Sequence, residues 1–359
     1  MTSFSCSCES HLHRLLRLRS SLRFLGRSSF LLCVLILLSA GFVFAWFASW
    51  RADRLASLNS VSELEKTLQG LVEFVARGEG PPVLILHDAP GGYDQAMLLG
   101  SSLLEDHFHI VAPSRPGYLR TPLSTGLTPE EQANAMAGLI DEVGIPSVAV
   151  LASSSGTPAA LQFAVKHPQK VWALVLISPV LGKVDPAAKP GRVQPERLFE
   201  KLKDDLRAWW LFETAERDSR PIISWMVDAQ NGGNSLQRES LVDYVLNDPD
   251  QLDWFRSFIA TFIPLSAREE GIRNDLVQLR ALLDLPWEKV SVPTLLVHGT
   301  ADKCVPFNEA EAVARRIPGA ILYPVSEAGH LVQLGPRAVE VQSKVREFLH
   351  QHAGGHSQR

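Results

Sequence analysis

Cysteine is scarce in this chain of 359 residues, which contains four. Cys6 and Cys8 lie near the N-terminus, Cys33 lies in an apolar segment, and Cys304 is the only cysteine in the rest of the sequence. An internal disulfide needs two cysteines in the same folded region, so we expect the globular part to fold without one. The Cys6-x-Cys8 pair alone supplies too few ligands for a structural zinc site.

An excess of positive charge is missing outside the N-terminal region. Residues 1–54 carry seven arginines against one glutamate and one aspartate, whereas the rest of the chain carries 28 basic and 37 acidic side chains. Nucleic-acid binding relies on basic side chains that neutralise phosphates, so no nucleic-acid partner is expected. The sequence also lacks a His-Glu-x-x-His motif, a Gly-x-Gly-x-x-Gly motif and a P-loop, so neither a catalytic metal nor a cofactor is predicted.

Charge is absent from one long segment near the N-terminus. Phe30 to Trp50 is a run of 21 residues without a charged side chain, which is about the length that a helix needs to cross a bilayer. Five arginines precede it, and this bias predicts a cytoplasmic N-terminus and an extracytoplasmic globular domain. We therefore predict a cytoplasmic tail over residues 1–29, a single-pass membrane signal anchor over 30–50 and a partly helical spacer over 51–70.

Two other targeting signals fit the same region. Val43-x-Ala45 would permit cleavage of a secretory signal peptide, and the arginine- and serine-rich, acid-poor first 29 residues also resemble an organellar transit peptide. Apolarity continues to Trp50, beyond the possible cleavage point at Ala45. That continuation favours a retained anchor.

Short apolar runs alternate with helical segments in the remainder of the chain. Val83–Leu86, Val148–Leu151 and Val171–Ile177 have the continuous apolarity of strands that are buried on both faces. Thr128-Pro-Glu-Glu131 is a capping box, which predicts a helix to about Val143. Strands that alternate with helices predict an α/β fold with a mostly parallel central sheet, helices on both faces and all strand carboxyl ends at one edge.

This alternation stops near Gly182 and resumes near Val290. The residues between are helical in character and rich in aromatic side chains, including Trp209, Trp210, Trp225, Trp254, Phe255 and Phe258. We predict a helical cap over 183–286, inserted between the two parts of an α/β core at 71–182 and 287–352. Most of the aromatic residues are expected in the core of the cap, and some are expected to face an apolar substrate.

A serine lies at the junction of a predicted strand and helix. Ser154 is the central residue of Ala152-Ser-Ser-Ser-Gly156, which follows an apolar run and opens a helical stretch. A nucleophile in such a sharp turn requires small residues two positions before and two positions after it. Ser155 as the nucleophile would place Ser153 and Thr157 at those positions, which fits less well.

A serine hydroxyl becomes a nucleophile when a base accepts its proton and a carboxylate orients that base. Asp302 follows a second apolar run and His330 follows a third, so the order along the chain is Ser, Asp, His. Over about residues 70–350 the chain resembles the α/β-hydrolase superfamily, specifically the capped Ser-His-Asp hydrolases. The resemblance implies that Ser154 attacks, His330 transfers the proton and Asp302 orients the imidazole. Asp185 is a competing acid, because some relatives carry their acid after the sixth strand.

The loop from His87 to Gly92 follows the strand at 83–86, and the family builds its oxyanion hole from this loop. The resemblance implies that the backbone N–H groups of Ala89 and Ser155 bind the oxyanion. Asp88 occupies a position where relatives usually carry glycine. A carboxylate near an oxyanion would oppose its formation, so we expect Asp88 to point away or to be neutralised.

Other residues of these loops are interpreted as scaffold. We assign a structural role to the loop Ser114–Thr121 and to His298, and we consider Tyr118 as a possible substrate contact.

The implied function is hydrolysis of a carboxylic ester of a small to medium apolar substrate through an acyl-enzyme on Ser154. Relatives with the same triad cleave a carbon–carbon bond in a diketone, and others with a similar His-Gly-Gly-Pro-Gly loop are aminopeptidases acting on N-terminal proline. A receptor that binds ligands on the same fold with little turnover is the alternative from a different class. Serine at the nucleophile position excludes relatives that use aspartate, namely dehalogenases and epoxide hydrolases. The expected partners are the ester-like small molecule and a membrane, and the sequence does not specify an oligomeric state.

Overall fold

A long N-terminal helix precedes the sheet. The computed structural model describes residues 7–182, 198–282 and 284–354. Helix α1 comprises Ser7–Val61, and its segment Cys33–Val61 is long and apolar enough to cross a membrane, as a signal sequence would also be. The described part of the predicted tail, the anchor and the first half of the spacer therefore belong to one helix. The chain divides between Ala56 and Ser57 into two compact units.

The sheet begins inside the predicted spacer. Strand β1, Glu63–Lys66, pairs in antiparallel fashion with β2, Leu71–Arg77. Three of the four residues of β1 are charged, and the strand lies at one edge of the sheet with little burial. Charged side chains are typical of edge strands. The absence of an apolar run explains why the sequence did not predict β1.

The first part of the core alternates strands and helices. Its further elements are β3 (Pro82–Leu86), α2 (Tyr93–Leu99), α3 (Ser101–Glu105), β4 (His109–Pro113), α4 (Pro129–Glu142), β5 (Val148–Ser153), α5 (Thr157–Lys166) and β6 (Val171–Ile177). The predicted capping box of α4 is confirmed. Thr128 Oγ1 accepts the N–H of Glu131 at 3.2 Å, and the Glu131 carboxylate accepts the N–H of Thr128 at 3.0 Å.

The described part of the cap is helical. It consists of α6 (Leu198–Arg217), α7 (Arg220–Gln230), α8 (Ser235–Asn247), α9 (Pro249–Ala260) and α10 (Glu269–Ala281). Buried side chains such as Ile223, Val245 and Phe255 give the cap a core of its own. Trp210 and Trp225 are exposed. The aromatic content of the sequence therefore overestimates how many aromatic side chains belong to that core. The competing acid Asp185 lies outside the described residues.

The second part of the core completes the sheet with β7 (Thr294–Gly299), α11 (Phe307–Arg316), β8 (Ile321–Val325) and α12 (Ala338–His352). Among the described residues, eight strands form one sheet in the order β1-β2-β4-β3-β5-β6-β7-β8. β2 is antiparallel to both neighbours, and the pairs from β4 onwards are parallel. The predicted α/β fold with a mostly parallel central sheet is confirmed.

Helices cover the sheet on both faces because successive side chains of the buried strands point to opposite sides. On β5, Val150 belongs to an apolar cluster with residues of α4 and α5, whereas Leu151 belongs to a second cluster with residues of α2 and α12. Parallel strands end at a common edge, and loops at such an edge form the ligand sites of open α/β sheets. The loops after β3, β5, β7 and β8 carry the residues that the sequence singled out.

Candidate active site

The turn after β5 presents Ser154. Its φ angle is +43°, in the left-handed region that residues with a side chain rarely adopt. Gly156 allows the following helix to approach β3, because a Cβ at this position would lie 2.7 Å from the carbonyl oxygen of Leu86. Ala152 is fully buried and pairs with Leu86 across the sheet. The small residues on either side of Ser154 therefore meet a packing requirement of the turn.

Ser154, His330 and Asp302 form a continuous chain of hydrogen bonds. His330 Nε2 lies 3.0 Å from Ser154 Oγ, and His330 Nδ1 lies 2.7 Å from Asp302 Oδ2. The other carboxylate oxygen of Asp302 accepts the N–H groups of Cys304 at 2.8 Å and Val305 at 2.9 Å. With Nδ1–H donating to Asp302, the lone pair of Nε2 faces the serine hydroxyl. This arrangement can accept a proton from Ser154.

The surroundings of His330 favour its protonated form. Burial by itself disfavours an imidazolium, but the hydrogen bond to Asp302 and the charges of Asp302 and Asp88 outweigh burial and raise the pKa of His330 above its ordinary value. A base must be neutral before it accepts a proton. His330 is consequently a stronger base than free histidine. Its neutral form, which can accept a proton, predominates only above a higher pH than for free histidine.

Close backbone contacts hold the two loops that carry Asp302 and His330. A Cβ on Gly299 would lie 2.2 Å from the carbonyl oxygen of Gly329, so only glycine permits this approach. The carbonyl oxygen of Gln230, the last residue of α7, accepts the N–H groups of Lys303 at 3.0 Å and His330 at 3.3 Å. The cap therefore supports both loops directly.

His298 lies behind the acid. Its Nε2 donates to the carbonyl oxygen of Val305 at 2.9 Å and lies 3.3 Å from Asp302 Oδ2. Burial lowers the pKa of His298, despite the opposing effects of Val305 and Asp302. This contact agrees with the structural role that the sequence suggested, since the neutral ring packs against the carboxylate without contacting Ser154.

The fold and this site have counterparts among known proteins. Residues 81–335 match the family model of the alpha/beta hydrolase fold. The chain belongs to the α/β-hydrolase family. Both the resemblance and the fold predicted from the sequence are thereby confirmed.

Three similar proteins illustrate the range of this family. The uncharacterized hydrolase YcgS of Bacillus subtilis (strain 168) is 27% identical over 289 residues, which are 78% of this chain and 95% of YcgS. The 2-hydroxymuconate semialdehyde hydrolase of Pseudomonas putida is 24% identical over 261 residues, 72% of this chain and 83% of that protein. The solved structure of an alpha/beta hydrolase fold protein from Nakamurella multipartita has a TM-score of 0.71 and 27% identity, covering 82% of this chain and 100% of that chain.

Ser155 of this hydrolase faces away from His330. Its Oγ accepts a hydrogen bond from Arg115 Nη2 at 3.0 Å and donates to Asp275 Oδ2 at 3.2 Å. Ser154 and Ser155 are adjacent in sequence, but the structure places only Ser154 within hydrogen-bond distance of the imidazole. The alternative nucleophile, Ser155, therefore has a different set of hydrogen-bond partners.

Those partners form a buried polar cluster, which we call the Arg115 cluster: Arg115, Asp275, Ser155, Tyr118 and His87. Arg115 binds Asp275 through two hydrogen bonds, Nη1 to Oδ1 at 2.9 Å and Nη2 to Oδ2 at 2.5 Å, and Tyr118 Oη donates to Asp275 Oδ2 at 2.6 Å. Asp275 lies on α10 of the cap and the other residues lie on the core. The cluster therefore fastens the cap beside the Ser154 turn.

The Arg115 cluster also fixes the loop after β3. The N–H of Arg115 donates to His87 Nε2 at 3.0 Å, and His87 Nδ1 donates to the carbonyl oxygen of Asp88 at 2.7 Å. One ring nitrogen accepts and the other donates, so His87 is neutral. Its burial, followed by the charge of Arg115, lowers its pKa well below the ordinary value. The scaffold role predicted for residues 114–121 fits these contacts, and the hydroxyl of Tyr118 is engaged with Asp275.

The two predicted oxyanion donors, the N–H groups of Ala89 and Ser155, differ in their hydrogen bonding. Within the described part of the chain, the N–H of Ala89 has no hydrogen-bond partner. The N–H of Ser155 donates to Asp88 Oδ1 at 3.0 Å. Asp88 does not point away, which was one of the two arrangements that we expected, because this N–H at the start of a helical turn needs an acceptor and the carboxylate supplies one. The other arrangement, in which Asp88 is neutralised, stays a prediction.

The donor atoms of Asp302, Cys304 and His330 lie within 4.8 Å of one another, a spacing that could suit a metal ion. Asp302 and His330 are hydrogen-bonded to each other, and burial, followed by the charges of Asp302 and Asp88, raises the pKa of Cys304 to about 11. A protonated thiol is a poor metal ligand. That the reaction uses neither a metal nor a cofactor stays a prediction.

A small apolar cavity adjoins His330. It measures about 20 Å³, and its lining includes Met226, Val227, Leu241, Leu331 and Leu334. A cavity of this size holds about one water molecule. Ser154 is 8% exposed and is not among the residues that line this cavity.

Proposed function

We propose that this hydrolase cleaves carboxylic esters of small to medium apolar molecules through an acyl-enzyme on Ser154. The observation that carries the proposal is the chain of hydrogen bonds from Ser154 through His330 to Asp302, at 3.0 Å and 2.7 Å. A serine, an imidazole and a carboxylate in this order are the requirements of acyl transfer to a hydroxyl.

The reaction would follow from the positions of these atoms. Ser154 Oγ attacks the carbonyl carbon while its proton passes to His330 Nε2, and Asp302 stays ionised and holds Nδ1–H. The tetrahedral oxyanion accepts hydrogen bonds from the N–H groups of Ala89 and Ser155. His330 then returns the proton to the leaving alcohol. Water, activated by the same imidazole, hydrolyses the acyl-enzyme to the acid and restores Ser154.

The surroundings of the site support an apolar substrate. The cavity beside His330 is bounded by aliphatic cap and core side chains, including Met226 and Leu331. Apolar substrate surface that contacts these side chains would be stabilised by about 25 cal/mol per Å² removed from water.

Hydrolysis of a carbon–carbon bond is the second candidate. The similarity to a 2-hydroxymuconate semialdehyde hydrolase over 72% of this chain favours it. The same serine, histidine and aspartate would serve both reactions. The two candidates differ in the bond that breaks, so substrates rather than site variants separate them.

The proposal is tested with a fluorophosphonate probe on the full chain. The wild-type protein should be labelled, Ser154→Ala should not be labelled, and the matched variant Ser155→Ala should still be labelled. Absence of labelling in folded wild-type protein would leave the ligand-binding receptor as the better interpretation.

A substrate panel then decides between the reactions. Esters of p-nitrophenol with increasing acyl length should be hydrolysed with a preference for apolar chains. Faster cleavage of a diketone would favour carbon–carbon hydrolysis, and faster cleavage of proline p-nitroanilide would favour the aminopeptidase alternative.

We also propose that the apolar part of α1 is a retained membrane anchor that leaves the catalytic domain on the extracytoplasmic side. The proposal rests on Phe30–Trp50, which carries no charge, and on the five arginines before it. A phosphatase reporter fused after Arg359 should be active, and the protein should stay with membranes after an alkaline wash. A soluble product that begins near Trp46 would mean that the segment is a cleaved signal.

A further inference from the structure

The carboxylate of Asp88 occupies the place that the proposed reaction reserves for an oxyanion. Its Oδ1 accepts the N–H of Ser155 at 3.0 Å, and Ser155 directly follows the proposed nucleophile. The tetrahedral intermediate would carry its negative oxygen to the same N–H. A side-chain carboxylate is thus bound where the substrate oxygen has to bind.

The charge of Asp88 also reaches the base. It is one of the influences that raise the pKa of His330, together with the hydrogen bond and charge of Asp302. Burial and the charge of Asp302 raise the pKa of Cys304, and the charge of Asp88 adds to that rise. Asp88 likewise adds to the raised pKa of Arg115 and Tyr118, for which Asp275 is the larger charge. Among the described residues, the titratable and charged groups that interact with Asp88 or His330 include Asp302, His298, Cys304, His87, Arg115 and Tyr118, and Asp275 and Lys303 lie next to members of this set.

We propose that Asp88 limits the rate of acylation, because its carboxylate holds the oxyanion site until a substrate carbonyl displaces it. The inference rests on the proposed attack by Ser154. Asp88 acts in two ways. It competes for the N–H of Ser155, and its charge favours the imidazolium form of His330, so that the neutral base is available only at a higher pH.

The side chain of Asp88 can be removed with little disturbance to its loop. The backbone N–H of Asp88 donates to Gln95 Oε1 at 2.8 Å, and its backbone carbonyl accepts from His87 Nδ1 at 2.7 Å. Both bonds persist in Asp88→Ala. Asp88→Asn keeps an oxygen that can accept the N–H of Ser155 but removes the charge, so the two variants separate occupation of the site from its electrostatic effect.

The test measures the second-order rate of fluorophosphonate labelling, which needs no knowledge of the substrate. In this reaction Ser154 Oγ loses its proton to His330 and bonds to phosphorus, the P–F bond breaks and fluoride leaves, while the phosphoryl oxygen takes the oxyanion site. Asp88→Ala should be labelled about tenfold faster than wild type or more at neutral pH, and Asp88→Asn should lie between them. Asp253→Asn, which removes an exposed charge on α9, is the control and should match wild type.

The pH profile gives a second readout that a merely structural role would not change. Removing the charge of Asp88 lowers the pKa of His330, so the neutral base persists to lower pH and the acid limb of the rate profile should shift downward in both variants. A labelling rate in Asp88→Ala that is equal to or below that of wild type, with an unshifted acid limb, would overturn the inference. Failure of every variant to label would instead contradict the proposed role of Ser154.

Discussion

Two neighbouring serines end in opposite surroundings at one turn of this hydrolase. Ser154 faces His330 and Asp302, where an imidazole lies between a hydroxyl and a carboxylate. Ser155 faces the Arg115 cluster, where a guanidinium and a carboxylate are paired directly and buried. Ser154 is placed for proton transfer to His330, whereas Ser155 belongs to the Arg115 cluster, which links the cap to the core.

The difference lies in how each carboxylate is satisfied. Asp302 is bound by two backbone N–H groups and the ring of His330, so it orients a base without meeting a fixed cation. Asp275 is bound by both terminal nitrogens of Arg115 and by Tyr118. Removing one partner from a buried ion pair leaves an uncompensated charge, whereas removing a reacting group chiefly removes chemistry. We expect Ser154, His330 and Asp302 to determine turnover, and the Arg115 cluster to determine stability.

The largest expected effect comes from Ser154→Ala. Loss of the nucleophile should lower ester turnover by about 10⁴-fold or more. The melting temperature should change little, since the hydroxyl of Ser154 bonds only to His330 among the contacts of the described residues. Steady-state kinetics and thermal melting check both parts. Retained turnover would contradict the assignment of the nucleophile.

Asp302→Asn should follow, with turnover reduced by about 10⁴-fold, because the imidazole loses the acceptor that fixes its tautomer. The direction of the pH effect is also specified. Asp302 raises the pKa of His330, so without its charge the residual activity should persist to lower pH than in wild type. Near-normal turnover in this variant, with loss in Asp185→Asn, would move the acid to the other loop.

Asp275→Ala addresses the opposite side of the turn. It leaves Arg115 buried without its counter-charge, which should reduce the free energy of unfolding by about 3–5 kcal/mol. Denaturant unfolding measures this loss. Asp284→Ala is the matched control, because it breaks an ion pair with Arg316 that is exposed to solvent and should have a much smaller effect. Equal losses in the two variants would contradict the special role of the Arg115 cluster.

The smallest effect is expected from Ser155→Ala, which should lower stability by about 1–2 kcal/mol because Arg115 and Asp275 each lose one hydrogen bond. Its backbone N–H remains, so labelling of Ser154 should continue. Comparison with Ser154→Ala by the same kinetic and unfolding assays separates the two sides directly. A turnover defect as large as that of Ser154→Ala would mean that the hydroxyl of Ser155 takes part in the chemistry.

The sequence predicted the parts of the fold that repeat a local pattern. Continuous apolar runs marked β3, β5 and β6 because these strands are buried on both faces, and Thr128 marked the start of α4. The edge strand β1 escaped prediction because an edge position needs no apolar residues. The length of α1 was also underestimated, since the charged residues after Trp50 continue the helix.

For the site, the sequence by itself determined which residues follow the strand ends and that only small residues fit on either side of Ser154. It also raised the question of Asp88. Only the tertiary structure decided that Ser155 turns toward Arg115, that Asp275 of the cap completes that cluster, and that Asp88 binds the N–H of Ser155. The reason is physical: strand ends and tight turns are fixed by neighbours along the chain, whereas the partners in these contacts come from segments 40 to 160 residues apart in the sequence and leave no local pattern.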